Sequence, residues 1–171
     1  MSFMRAMAVF VQALAIGWGC SAVAEPLPKP TDTVILSVAG SIAATTGSGV
    51  AEFDLAGFES LGTKTILTTT IWTEGEVSFR GVPLKTLLDR LGAKGSILRV
   101  WALNDYTVDV PFGDAVENGP ILAIEADGKP LSVRDKGPIW LLYPFDDDAQ
   151  YQTEVIYARS IWQIERMEVL E

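Results

Sequence analysis

The sequence predicts a single α+β domain with a mixed, β-rich core and a few short helices. β-branched and apolar runs recur along the chain and are bounded by Gly, Pro and Asp-Gly, as expected of strands. Only one segment, 84–91, carries apolar residues at clear helical spacing. The 171 residues are 49% hydrophobic and 20% charged, which allows one stable core and excludes a disordered chain.

The first 24 residues have the pattern of a secretory signal peptide. Arg5 is the only charge, an apolar run follows it, and Ala22-Val23-Ala24 places small residues at a cleavage site. The run is short for a membrane anchor. We therefore expect residues 1–24 to be removed and the remainder to be periplasmic. Residues 25–32, rich in Pro, would form a stiff tether, and residues 33–171 a single domain.

Eight strands are predicted from propensity and turn signals. Their ranges are 33–40, 51–55, 63–72, 96–103, 106–110, 121–126, 139–145 and 161–169. The run 63–72 has the strongest β propensity, because Thr, Ile and Trp suit a pleated surface. Asp127-Gly128 predicts a tight hairpin turn. The run 139–145 is apolar at consecutive positions, which favours a central strand covered on both faces.

The predicted helices are short. Asp54 is placed to cap a helical turn over residues 56–61. Residues 80–83 are interpreted as a turn that leads into a helix, in which Leu84, Leu87, Leu88 and Leu91 form one apolar face. Gly92 would end this helix. Asp114 is expected to begin a further helical or turn region.

The composition excludes several classes of function. The chain has no histidine and only one cysteine, Cys20, which lies in the predicted signal peptide. Ser-His-Asp and Cys-His nucleophile systems therefore cannot be built. The formal net charge of -9 argues against a nucleic-acid partner, because phosphate binding needs clustered Lys and Arg.

Aromatic residues are the first candidates for a binding site. Trp72 and Trp162 lie beside polar, loop-like residues, so they could stack on a flat ring ligand. Tyr106 and Tyr143 are further aromatic candidates. The alternative is that these side chains pack in the core.

Charged residues supply the polar candidates. Asp146 or Asp105 could accept hydrogen bonds from a donor-rich ligand edge, and Arg80 or Arg159 could hold a carbonyl or anionic group. The alternatives are a solvated or Ca²⁺-binding acidic loop at 146–148 and surface ion pairs for the two arginines.

A set of motifs in fixed order resembles the molybdopterin-binding domain of the sulfite oxidase family, over about residues 33–169. The motifs are Trp72, Arg80-Gly81-Val82-Pro83-Leu84, Asn104-Asp105-Tyr106, Gly128-Lys129-Pro130-Leu131, Gly137-Pro138-Ile139-Trp140 with Tyr143-Pro144, and Ser160-Ile161-Trp162. The resemblance implies an α+β fold around a β-rich core. It also implies a cysteine ligand for molybdenum in the segment before the Gly-Val-Pro-Leu motif, yet residues 68–73 contain no thiol.

The chain also looks like a cysteine-less branch of this fold, periplasmic pterin-binding proteins that signal to a membrane-bound cyclic-di-GMP synthase/hydrolase. That resemblance implies a non-catalytic sensor whose ligand is a reduced, metal-free pterin and whose partner is the periplasmic domain of a membrane protein. Two alternatives stay open. One is a molybdenum-cofactor oxidoreductase with an atypical metal ligand, and the other is an accessory protein that binds only a protein partner.

Overall fold

Two five-stranded sheets form the framework of the protein. The structure is a computed structural model that describes residues 27–171, so the predicted signal peptide lies outside the described residues. The strands are β1 (Val34–Gly40), β2 (Ala51–Asp54), β3 (Lys64–Thr69), β4 (Glu76–Pro83), β5 (Ile97–Ala102), β6 (Thr107–Pro111), β7 (Ile121–Ala126), β8 (Lys129–Pro130), β9 (Trp140–Leu142) and β10 (Ile164–Leu170). The helices are α1 (Leu55–Glu59), α2 (Leu84–Leu91) and α3 (Glu154–Arg159). This architecture confirms the α+β prediction.

The strand order defines how the two sheets are built. In the first sheet it is β2-β1-β10-β5-β6, with β1 and β10 parallel and the other pairs antiparallel. In the second sheet it is β3-β4-β7-β8, and β9 pairs with β7 next to β8. Buried side chains from both sheets and from α2 belong to one hydrophobic core. Within residues 27–171, no helix is long and apolar enough to cross a membrane.

Helix α2 follows its sequence pattern closely. Its four leucines, Leu84, Leu87, Leu88 and Leu91, are all buried, because spacings of three and four residues place them on one face. Gly92 adopts a left-handed conformation (φ 57°) and donates its amide to Asp89, which ends the helix as predicted. At α1, the carboxylate of Asp54 accepts a hydrogen bond from the amide of Gly57, so the predicted cap is also confirmed.

Residues 80–83 belong to strand β4, so their interpretation as a turn is wrong. The strand pairs with β3 on one side and β7 on the other, and these neighbours satisfy its backbone groups. Gly81 makes the pairing possible, since a Cβ atom there would lie 2.1 Å from the carbonyl oxygen of Leu122. A glycine that reads as a turn signal in the sequence is therefore required by close packing of two strands.

Four other features differ from the predictions. Strand β3 ends at Thr69, and β9 has only three strand residues although its neighbours are buried. Helix α3 was not predicted, and Thr153 caps it by accepting a hydrogen bond from Ile156. The region expected to begin at Asp114 is a 3₁₀ turn, Phe112–Asp114, that ends there. Short elements carry too few residues for periodicity to define them.

The predicted tether is held on the domain at its described end. Leu27 is only 6% exposed. The carboxylate of Asp54 accepts hydrogen bonds from the amides of Thr31 and Asp32, at 2.8 and 3.1 Å, in addition to the one from Gly57. These bonds favour the charged carboxylate and lower the pKa of Asp54. Asp54 therefore joins the entering chain to α1.

Candidate functional site

The candidate site is organised around the indole of Trp72, which lies in the loop between β3 and β4. Its ring centre is 5.7 Å from that of Trp140, 5.8 Å from those of Tyr157 and Trp162, and 6.2 Å from that of Phe145. All four contacts are edge-to-face, which is a favourable geometry for aromatic pairs. Trp72 thus connects the β3–β4 loop to α3, β9 and the segment before β10. We call these five residues the aromatic cluster.

Threonine hydroxyls fix the loop that carries Trp72. The hydroxyl of Thr70 accepts a hydrogen bond from the amide of Trp72 at 3.1 Å and is 2.8 Å from the hydroxyl of Thr73. The hydrogen bond between the two hydroxyl groups joins the start of the loop to a residue three positions later. These residues lie in the segment where the family resemblance implies a cysteine. Here their hydroxyl groups stabilise the conformation of the loop.

Trp140 and Trp162 have different exposures within the aromatic cluster. Trp140 is buried and donates its indole N–H to the carbonyl of Ser160 at 3.1 Å, whereas Trp162 is 37% exposed. The ammonium group of Lys136 lies 5.4 Å from both ring centres, within range of a cation–π interaction. Trp140 is therefore a core residue, whereas Trp162 presents part of its ring to solvent.

A cavity of about 340 Å³ opens beside Trp72 and Trp162. Its walls come from the β5–β6 loop, α3 and the segment that follows α3, and its lining residues are Trp72, Ala102, Asn104, Tyr106, Tyr157, Ala158, Ser160, Ile161, Trp162 and Gln163. The volume lies at the lower end of the range of about 300–1,000 Å³ found for small-molecule sites. Aromatic walls and uncharged polar groups suit a flat ligand of modest size.

The β5–β6 turn places Tyr106 at the mouth of the cavity. Asp105 has a left-handed backbone (φ 62°), and the side-chain oxygen of Asn104 accepts a hydrogen bond from the amide of Tyr106 at 3.1 Å. These two features reverse the chain tightly. Tyr106 is 55% exposed as a result.

Four lining residues offer side-chain hydrogen-bonding groups to a ligand. Among the described residues, the hydroxyls of Tyr106 and Tyr157 have no hydrogen-bond partner, and neither has the side-chain N–H₂ of Asn104. Gln163 donates its side-chain N–H₂ to the carbonyl of Val133 at 2.7 Å, which leaves its side-chain oxygen as an acceptor. The cavity therefore combines donors and acceptors without a fixed charge.

Tyr143 and Arg159 belong to a polar network with Asp114. The Tyr143 hydroxyl donates to the Asp114 carboxylate at 2.6 Å, and Arg159 donates to the same group at 2.9 Å. Burial and this hydrogen bond raise the pKa of Tyr143 far above its ordinary value. The network ties α3 to the turn before β7. Neither predicted residue lines the cavity.

Asp146 lies in a neighbouring hollow of about 300 Å³, which shares Tyr157 with the cavity. Its carboxylate accepts hydrogen bonds from the amide and the hydroxyl of Thr69, at 2.5 and 2.7 Å. Both bonds lower the pKa of Asp146. The side chain is thus engaged with the end of β3 and does not line the aromatic cavity.

The side chains of Arg80 and Asp105 do not line the cavity. Arg80 bridges Glu59 of α1, at 2.5 Å, and Glu125 of β7, at 2.6 Å, and both bonds raise its pKa. The Asp105 side chain is 87% exposed and lies 3.4 Å from Arg166. Arg80 and Arg159 both form ion pairs, which was the alternative to a ligand-binding role for these two arginines.

Three of the eight predicted site residues therefore meet at the cavity, namely Trp72, Tyr106 and Trp162. Sequence reasoning missed Tyr157 and Gln163 among the lining residues. Tyr157 carried a signal only as one more aromatic residue, and its position depends on α3, which was not predicted. Gln163 carried no signal, because its role follows from a left-handed backbone (φ 56°).

Among the described residues, no group of three or more His, Cys, Asp or Glu side chains is placed to hold a metal ion. Asp146, Asp147 and Asp148 follow one another in sequence, but the Asp146 carboxylate is bound to Thr69, and that of Asp148 to Gln150. The acidic run is thus not assembled into a cation site.

Comparisons with known proteins agree with this fold. A family profile described as the oxidoreductase molybdopterin binding domain matches residues 56–145. Among solved structures, the chain is similar to the sulfane dehydrogenase SoxCD from Paracoccus pantotrophus, with 20% identity and a TM-score of 0.54. The similarity covers 79% of this chain and 37% of that one, so this chain spans little more than a third of that protein. No curated protein matches the sequence.

Proposed function

Since the profile covers more than half of its 171 residues, the chain belongs to the oxidoreductase molybdopterin binding domain family, and we propose that its aromatic cavity binds a reduced pterin without molybdenum. The observation that carries this proposal is a cavity of about 340 Å³ walled by Trp72 and Trp162, beside a loop that has no thiol. The protein would act as a non-catalytic sensor.

The donor set near the cavity does not fit molybdenum. A soft thiolate ligand is what distinguishes such sites, and residues 27–171 contain neither Cys nor His. The hydroxyls of Thr70 and Thr73 bond to each other instead of pointing to a common centre. No catalytic step through the metal follows from these residues.

The pterin ring itself fits the cavity better than the metal does. Trp162 offers an exposed indole face for stacking, and Trp72 supports it from behind through their contact at 5.8 Å. The side-chain oxygen of Gln163 can accept from the amino–imino edge of the ring. The Tyr106 hydroxyl and the Asn104 amide can donate to its carbonyl or to substituent hydroxyls. These roles replace those expected of Asp105, Asp146 and the two arginines, none of which lines the cavity.

Location and partner are part of the same proposal. The signal-peptide pattern at residues 1–24 supports export to the periplasm. The resemblance to periplasmic pterin-binding regulators supports the periplasmic domain of a membrane-bound cyclic-di-GMP synthase/hydrolase as partner. Mass spectrometry of the exported protein should find a mature terminus at Glu25. An uncleaved Met1 in the membrane fraction would instead show that residues 1–24 are a membrane anchor.

Ligand extraction tests the central proposal. Protein purified from a molybdenum-replete host should release a pterin, identified by mass spectrometry, and should contain well under one molybdenum atom per chain. Stoichiometric molybdenum would instead favour the oxidoreductase with an atypical ligand. Failure to bind any added reduced pterin would leave the cavity without this function.

A pair of tryptophan variants tests the site. Trp162→Ala should weaken binding of a reduced pterin by about ten- to a hundredfold, because stacking on an aromatic side chain contributes roughly 1–3 kcal/mol. Trp101→Ala is the control. That residue is half-buried on β5 under Arg166, at 4.5 Å, and does not line the cavity. Titration calorimetry and thermal melting of both variants separate lost binding from lost folding. Equal pterin affinity in the two variants would contradict the assignment.

A further inference from the structure

Strand β3 has the longest open edge of the two sheets. Among the described strands, the other edge strands are β2 with four residues, β6 with five, β8 with two and β9 with three. Strand β3 has six residues, contains no Pro or Gly, and pairs with β4 in an unbroken register. The β2 edge is partly closed, because the Thr46 hydroxyl accepts a hydrogen bond from the amide of Glu52. Proteins usually protect open edges, so an unprotected one indicates a pairing surface.

The main-chain groups of Thr65 and Leu67 point outward from this edge. The amide of Thr69 donates to Asp146 and not to β4, and main-chain direction alternates along a strand, so Leu67 and Thr65 point the same way. The bonds of Ser78, which lies opposite Leu67 on β4, support this direction. Both its amide and its carbonyl bond to Asp127 on the far side of β4, so neither pairs with Leu67. Within residues 27–171, the outward groups of Thr65 and Leu67 have no hydrogen-bond partner.

The side chains along the edge suit contact with another strand. Thr65, Leu67 and Thr69 are exposed, Leu67 to 57%, and none is charged although the chain has a net charge of -9. Ile71, just beyond the strand, is 62% exposed. The charges lie at the two ends of the edge. At one end the ammonium group of Lys64 donates to the side-chain oxygen of Asn118 at 2.8 Å, and at the other end Asp146 lies beside Thr69.

We propose that the β3 edge pairs with the β3 edge of a second copy of this chain, antiparallel and centred on Ile66. Thr65 of each copy then faces Leu67 of the other, and the four outward amides and carbonyls form four hydrogen bonds between the chains. Asp146 limits the pairing at Thr69, because its carboxylate already holds that amide.

Charge complementarity favours a second copy over another partner. An antiparallel twofold arrangement brings each Lys64 to the end of the edge where the other copy has Asp146. The same arrangement joins the second sheets of both copies into one continuous sheet. The edge is therefore complementary to itself in hydrogen bonding, apolar contact and charge.

The amide of Thr65 provides a specific test. Thr65→Pro removes the outward N–H, and it leaves the pairing with β4 intact because that N–H does not face β4. Thr65→Val is the matched control, since it keeps the amide and the size of the side chain. Sedimentation over a concentration series should show a mass twice that of the monomer for the wild type and Thr65→Val. Thr65→Pro should weaken the dimer by about four- to a hundredfold, because two of four hydrogen bonds of roughly two- to tenfold each are lost.

Hydrogen exchange of the wild type tests the same register without a variant. The amides of Thr65 and Leu67 should exchange more slowly as protein concentration rises, while the amide of Thr69 should not change. A wild type that stays monomeric at every concentration overturns the proposal. A folded Thr65→Pro variant that dimerises as tightly as Thr65→Val overturns it too. Neither outcome depends on whether the cavity binds a pterin.

Discussion

The aromatic cavity and the polar network around Asp114 use similar residues in opposite ways. In the network, Tyr143, Asp114 and Arg159 satisfy one another at 2.6 and 2.9 Å. In the cavity, the hydroxyls of Tyr106 and Tyr157 have no partner among the described residues. Both regions contain tyrosine beside α3, so residue type does not separate them. Polar groups that are already paired support the fold, and unpaired groups beside an exposed ring are available to a ligand.

The largest effect is expected at Trp72, which lines the cavity and also packs at the centre of the aromatic cluster. Its ring contacts four other aromatic rings, so Trp72→Ala should lower the free energy of unfolding by about 3–5 kcal/mol through the cavity left behind. Urea unfolding measures this loss. Unchanged stability together with lost pterin binding would contradict this, and would show that Trp72 binds the ligand without stabilising the fold.

Asp114 should have the next largest effect. Asp114→Ala leaves the buried Tyr143 hydroxyl and the Arg159 guanidinium without their shared acceptor, which should cost about 2–4 kcal/mol of stability. Asp135→Ala is a suitable control, because its exposed carboxylate bonds only the hydroxyl of Ser132. Similar unfolding curves for the two variants would show that the network contributes little.

Tyr143→Phe isolates one bond of the network. The ring keeps its packing while the hydroxyl is lost, and the Asp114–Arg159 pair remains. We expect a loss of about 1 kcal/mol in the free energy of unfolding, and no change in pterin affinity. A variant that binds a reduced pterin less tightly with unchanged stability would place Tyr143 in the site after all.

The smallest effect is expected from Asp146, which is exposed to solvent. Its carboxyl pKa is lowered from the ordinary value of 3.8 by the bonds from Thr69. The folded state therefore binds the proton less readily than the unfolded state, and this contribution to stability is present above pH 4 and lost as the pH falls through the lowered pKa. Asp146→Asn should flatten the dependence of stability on pH in that range. An unaltered acid dependence would show that the Thr69 bonds contribute nothing.

The sequence predicts the elements that depend on local patterns. The leucine spacing of α2, the Asp54 cap and the Asp127-Gly128 hairpin need only neighbouring residues, and all three are confirmed. The end of strand β4 is not predicted from its local pattern, because Arg80-Gly81-Val82-Pro83 has the residues of a turn. Its strand geometry comes from β3 and β7, which lie far away in the sequence.

The site is less predictable than the fold for the same reason. Trp72 and Trp162 were identified because they lie beside loop-like residues. Arg80 could not be excluded, because its partners Glu59 and Glu125 are 21 and 45 residues away. Tyr157 depends on α3, a helix of six residues with no clear periodicity. Ion pairs between residues that are far apart in the sequence determine which charged side chains remain available to a ligand.

The three indoles of the aromatic cluster also have an optical consequence. Their ring centres are 5.7, 5.8 and 6.3 Å apart, a separation at which excitation passes readily from one ring to the next. Light absorbed by the buried Trp140 can thus be emitted or quenched at the exposed Trp162. A molecule that stacks on Trp162 would dim the emission of all three, while Trp101, on the first sheet, would continue to fluoresce.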